Sequence, residues 1–138
     1  MANDLELNQD DIENVARRRF NGLTTAEERL LRAAPAGEFA YCGPTVLHKD
    51  NDPSKADSWG DERTIRAALI RWLCVDPNAS KRIDPRGVRL FGALILNSLD
   101  LSFVTVPFLL GFYRCRLSDD ANLMGIKVPR LDFDGSFT

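Results

Sequence analysis

The chain has 138 residues, 44% hydrophobic and 28% charged, with a net charge of −2, a balance that suits one domain or a helical region joined to a small solenoid. Near-neutral charge gives no bulk attraction to nucleic acid or anionic membranes, the start Met-Ala-Asn-Asp-Leu-Glu lacks the basic and apolar regions of a secretory leader, and no apolar stretch approaches the roughly 20 residues of a membrane span. Three widely spaced cysteines argue against a disulfide framework and for a reducing compartment, so a cytoplasmic location is expected.

Residues 9–21 read as a helix: Ile12, Val15, Ala16 and Phe20 fall at helical spacing, acidic Asp10, Asp11 and Glu13 open it, Arg17, Arg18 and Arg19 suit its C-terminal end, and Gly22 stops it. A second helix starts at Thr24 or Thr25, because Thr24-x-x-Glu27 and Thr25-x-x-Glu28 are competing capping boxes. Leu23, Ala26, Leu30, Leu31 and Ala34 form its apolar face, and Pro35 with Gly37 ends it. The pair resembles a helix-turn-helix, but the mixed signs of Glu27, Glu28, Arg29 and Arg32 suit a packed helical hairpin better than a DNA-reading helix.

Residues 36–59 read as a long loop with at most a short strand over 39–42, marked by Gly37, Gly43, Pro44 and Pro53 and by the polar run His48-Lys49-Asp50-Asn51-Asp52. Cys42 and His48, with distant Cys74 and Cys115, lack the short paired spacings of a structural zinc site. Asp50-Asn51-Asp52 begins like a calcium loop but has neither the glycine nor the closing glutamate. No metal or other cofactor is expected.

The third helix spans 61–74, with Ile65, Ala68, Leu69, Trp72 and Leu73 on one face. Residues 61–86 carry six positive and four negative side chains, which makes Arg63, Arg66, Arg71 and Arg82 the candidate anion-binding residues. Asp76-Pro77 starts a short helical turn over 77–82, and Asp84-Pro85-Arg86-Gly87 turns the chain into its last region.

From Val88 to Phe133 apolar-x-apolar triplets recur at Val88/Leu90, Ala93/Ile95, Leu99/Leu101, Val104/Val106, Phe108/Leu110, Cys115/Leu117, Ala121/Leu123, Ile126/Val128 and Leu131/Phe133. A spacing of about five residues is too long for a helical turn and too short for ordinary hairpins. Four sides per circuit place Val88, Phe108 and Leu131 in one column, Ala93 over Cys115, Leu99 over Ala121 and Val104 over Ile126. Strands in such a coil pair with the coils above and below.

The runs Ala121-Asn122-Leu123-Met124-Gly125 and Cys115-Arg116-Leu117-Ser118-Asp119 resemble the pentapeptide repeat, with Val, Leu, Phe or Ile often in place of its small residue. Gly92-Ala93, Leu99-Asp100-Leu101-Ser102, Pro107 and Cys115 look like a group of uncharacterised bacterial proteins with such coils behind a helical N-terminal region. The resemblance implies a right-handed parallel β-helix and a binding or scaffolding role, and supplies no catalytic residues. The expected fold is α+β: a helical N-terminal region over 1–86, with the 36–59 loop, capping a β-solenoid of about two coils over 87–138.

The chain stops mid-pattern at Asp134-Gly135-Ser136-Phe137-Thr138, so a protein partner or a second copy is expected at that end, through Leu131, Phe133 and Phe137. With one histidine, no phosphate-binding glycine loop and no Gly-x-Ser-x-Gly elbow, an enzyme is not expected. The leading function is a non-catalytic interaction or scaffolding module. The alternatives are a DNA-mimicking regulator, whose strongly acidic surface the five positive and five negative side chains of 87–138 do not supply, and a nucleic-acid- or anion-binding regulator acting through Arg63, Arg66, Arg71 and Arg82.

Overall fold

The computed structural model describes residues 11–136, and the first of them, Asp11, opens a helix. Its carboxylate accepts from Asn14 N at 2.9 Å and caps α1, Ile12–Arg19. The capping choice for α2, Thr25–Ala36, falls to Thr24: its hydroxyl accepts from Glu27 N at 3.0 Å and Glu27 Oε1 accepts from Thr24 N at 2.9 Å. Gly37 closes α2 in the left-handed conformation, with Pro35 inside its last turn.

Beyond α2 the chain forms β1 (Ala40–Tyr41) and three short 3-10 segments, His48–Asp50, Pro53–Ser58 and Asp61–Arg63. Next come β2 (Thr64–Arg66), α3 (Ala67–Val75) and α4 (Pro77–Ser80), the last capped by Asp76. The helix predicted over 61–74 therefore begins six residues late. Ile65 fits a strand as well as a helix, and pairing Thr64, Ile65 and Arg66 with Leu94, Ile95 and Leu96 gives the β-branched residues a parallel ladder.

Seven further strands follow: β3 (Val88–Phe91), β4 (Leu94–Leu96), β5 (Leu99–Asp100), β6 (Leu110–Tyr113), β7 (Arg116–Leu117), β8 (Ala121–Asn122) and β9 (Leu131–Asp132). They join β1 and β2 in three parallel sheets, ordered β1-β3-β6-β9, β2-β4-β7 and β5-β8. The architecture is thus α+β, mixed helix and strand with parallel sheets.

Leu99 pairs with Ala121. The pairing of Leu94 with Arg116 carries Ala93 toward Cys115, and the bridge from Thr105 to Lys127 sets Val104 beside Ile126. One column differs from the triplet reading: Val88 pairs with Leu110, and Leu110 with Leu131. Phe108 is fully buried in the turn before β6 instead. Phe108 and Leu110 are two residues apart and both point inward, so a slip of two keeps every apolar side chain on its face.

The chain passes from β3 to β4 and from β6 to β7 through two residues each, but residues 42–63 separate β1 from β2. The corners that follow β3, β6 and β9 hold Gly92, Arg114 and Gly135 at φ of 74°, 56° and 69°. Arginine thus takes a left-handed position that its neighbours give to glycine.

One core runs through helices and sheets, from Leu30, Leu69 and Leu73 to Ile95, Leu99, Phe108 and Phe112. Phe20 meets Trp72 edge to face, with centroids 5.7 Å apart, and fixes α1 against α3. Among the described residues no helix is long and apolar enough to cross a membrane.

Candidate interaction site

Three arginines hold the long connection between β1 and β2: Arg63 within it, Arg114 from the corner after β6, and Arg116 from β7, the last donating to Pro53 O at 3.3 Å. Arg63 is 5% exposed, and its guanidinium donates to Gly92 O from Nε at 3.0 Å and Nη2 at 2.9 Å, to Asp50 O at 2.9 Å and to Asn51 Oδ1 at 2.9 Å. It lies 3.7 Å from the centroid of the Trp59 ring. Burial pulls its pKa down. Buried Asn51 extends the network by donating to Thr45 O and Leu47 O. From the other side Arg114 donates to Asn51 O at 3.0 Å and His48 O at 3.2 Å.

The other arginines singled out by charge serve separate places. Arg66 grips Glu27 and donates to Phe20 O and Gly22 O. Arg71 donates to Asp100 O. Arg82 is partly buried beside the groove that Asp11, Glu13, Leu31 and Arg32 also line. No two of Arg63, Arg66 and Arg71 share a partner.

The end formed by β7, β8 and β9 has a different character. Each is the last strand of its sheet, paired on one side only among the described residues. Leu99, Leu101, Val106, Phe108, Leu110, Phe112, Cys115 and Leu117 are buried. On the following pass Ala121, Leu123, Val128, Leu131 and Phe133, which follow Leu99, Leu101, Val106, Leu110 and Phe112, are only partly buried. Leu131 and Phe133 therefore stand together on this end, Phe133 stacked on Phe112 with centroids 5.0 Å apart. Phe137 lies outside the described residues. Ser136 closes the corner, its hydroxyl donating to Phe112 O at 2.7 Å and accepting from Cys115 N at 2.9 Å.

An aromatic groove leads to the same end. Tyr41, Phe91 and Tyr113 occupy one register position across β1, β3 and β6, and Phe39 packs on Tyr41 and Tyr113 at 5.8 and 5.5 Å. Together with Val46, His48 and Arg114 they line a cavity of about 460 Å³ that reaches Asp134 and Gly135, just beyond β9. Burial, then the hydrogen bond to Asp132, pushes the Tyr113 hydroxyl pKa up. The sequence signal for this groove is the 22-residue offset from Phe91 to Tyr113, which the triplet reading passes over because these positions point outward.

The histidine and cysteines do not converge: among the described residues no three His, Cys, Asp or Glu side chains are grouped to hold a metal. His48 lies against Phe91 at 6.5 Å. Burial pushes the thiols of Cys42, Cys74 and Cys115 up to about 12, which removes the thiolate that nucleophilic chemistry needs. Nothing matches this chain among protein-family models, curated proteins or solved structures.

Proposed function

We propose that this chain is a non-catalytic interaction module, a short right-handed β-helix of the pentapeptide-repeat-like kind, that associates through the end carrying β7, β8 and β9. Support for the coil comes from parallel ladders offset by 21 and 22 residues and from left-handed corners repeated at Gly92, Arg114 and Gly135. The observation that carries the function is the partial burial of inward-facing Leu123, Val128, Leu131 and Phe133, at positions whose counterparts one pass earlier, Leu101, Val106, Leu110 and Phe112, are buried. Strand edges and apolar side chains presented together form a template for strand addition.

A second copy of the chain is the partner this end fits best. That end carries both signs, Lys127 and Arg130 with Asp119, Asp120, Asp132 and Asp134, so two identical ends can oppose unlike charges in an isologous pair. The test is light scattering coupled to size exclusion over a concentration series, with wild type and Leu131→Lys compared. Wild type is expected to form a discrete dimer, and Leu131→Lys a monomer with an unchanged circular dichroism spectrum. A wild type that stays monomeric into the high micromolar range refutes self-association.

A further inference from the structure

We propose that the cavity formed by the 42–63 connection beside Arg29 of α2 is a binding site for a small phosphate-bearing anion. This inference stands on that cavity alone and is independent of the end-to-end association. The cavity has a volume of about 520 Å³, and its lining includes Arg29, Lys49, Lys55, Trp59 and Arg63.

Arg63 supplies the first argument. Its four hydrogen bonds go to carbonyl and amide oxygens, and no carboxylate lies within ion-pair distance of it among the described residues. A guanidinium removed from water with no carboxylate in direct contact favours an anion nearby. The four bonds engage at most four of its five N–H groups.

The lysines supply the second. The ammonium groups of Lys49 and Lys55 make no hydrogen bond or ion pair within the described residues, and both side chains are exposed on the loop that faces Arg63. Arg29 reaches the same cavity with one nitrogen on Tyr41 O at 3.1 Å. Three carboxylates also line it, and two are engaged locally: Asp50 accepts from the Thr45 hydroxyl at 2.6 Å, and Asp52 accepts from Ser54 N and Oγ at 3.0 and 2.7 Å. Glu62 is the third. Four cations against three carboxylates, with two lysines unengaged, match a compact multivalent anion better than a cation or an apolar ligand.

Trp59 provides the readout, since its ring covers Arg63 and borders the cavity, while Trp72 is buried between helices. The full chain is titrated with inorganic pyrophosphate at constant ionic strength, following tryptophan fluorescence and, separately, heat of binding. Saturable binding is expected, weakened about tenfold or more in Lys49→Ala/Lys55→Ala and retained in Lys81→Ala, an exposed control outside the cavity lining. Trp59→Phe is expected to lose the fluorescence change and keep the heat. Both lysines are exposed, so their removal leaves the fold intact, which circular dichroism verifies. No saturable binding in wild type, or equal affinity in the double variant, overturns the site.

Discussion

Replacing Glu27 by glutamine tests whether Arg66 is a structural cation. Glu27 is fully buried, and its carboxylate accepts four hydrogen bonds: from Thr24 N, from Arg66 N and Arg66 Nε at 2.9 Å each, and from Arg66 Nη2 at 2.8 Å. Glutamine keeps the shape but turns one acceptor into an NH2 group that faces donors. Breaking a buried pair costs about 3–5 kcal/mol. Here Arg66 keeps Phe20 O and Gly22 O and its side chain is 30% exposed, so water recovers part of the loss and about 3 kcal/mol is expected. Urea unfolding at neutral pH measures it, with the slope unchanged. The double variant Glu27→Gln/Arg66→Met should lose about 2 kcal/mol less than the two single losses added together. Acid provides a second check. Burial acts to raise the Glu27 pKa, but hydrogen bonds from Arg66 and Thr24 outweigh it and hold the carboxyl below 4.5. The pair's contribution is therefore complete above the ordinary glutamate pKa and is lost as pH falls through the depressed value. Wild-type stability should drop across that window, and Glu27→Gln should drop less. A loss under about 1 kcal/mol at neutral pH would refute the structural role and return Arg66 to the pool of cations available for ligands.

Arg114 sits at φ 56° and is tied to His48 O and Asn51 O, so Arg114→Ala loses both bonds and keeps the left-handed backbone, while Arg114→Gly loses the bonds and relieves the backbone. Thermal unfolding should rank glycine above alanine by about 1 kcal/mol, and the reverse order would show that the corner is not strained. The three thiols, pushed up to about 12 by burial, should resist an aromatic disulfide reagent in the native chain at mildly alkaline pH and all react in denaturant. Rapid native labelling of any of them would contradict its burial.

What could be read from the sequence follows from where the residues point. Ala93 beside Cys115, Leu99 beside Ala121 and Val104 beside Ile126 were legible because apolar alternation and turn length agree there on a 22-residue offset. Phe108 misled because it and Leu110 both face inward, and only the backbone distinguishes them. β1 and β2 carry two and three residues and pair with strands 50 and 30 positions later, too little alternation at too long a range for a local pattern. How Arg63 is held could not be read from charge for a related reason. Its acceptors are backbone carbonyls and an amide, which a count of acidic neighbours cannot register.

The two ends of the parallel sheets differ in how their outer backbone groups are satisfied, and that contrast connects the helices to the proposed association. On the side of β1, β2 and β5, side chains close the edge: Arg29 donates to Tyr41 O, the Thr24 hydroxyl donates to Thr64 O at 2.6 Å, Glu27 accepts from Arg66 N, and Arg71 donates to Asp100 O. Three of these four come from α2 and its cap, which explains why the Glu27–Arg66 pair lies there: it fixes the helix in the one position where its side chains meet the strand edge. The corresponding work at β7, β8 and β9 falls to no helix among the described residues. Cover for that end has to carry its own backbone donors and acceptors together with apolar side chains for Leu123, Ile126 and Leu131, and a second strand edge of the same kind meets both needs.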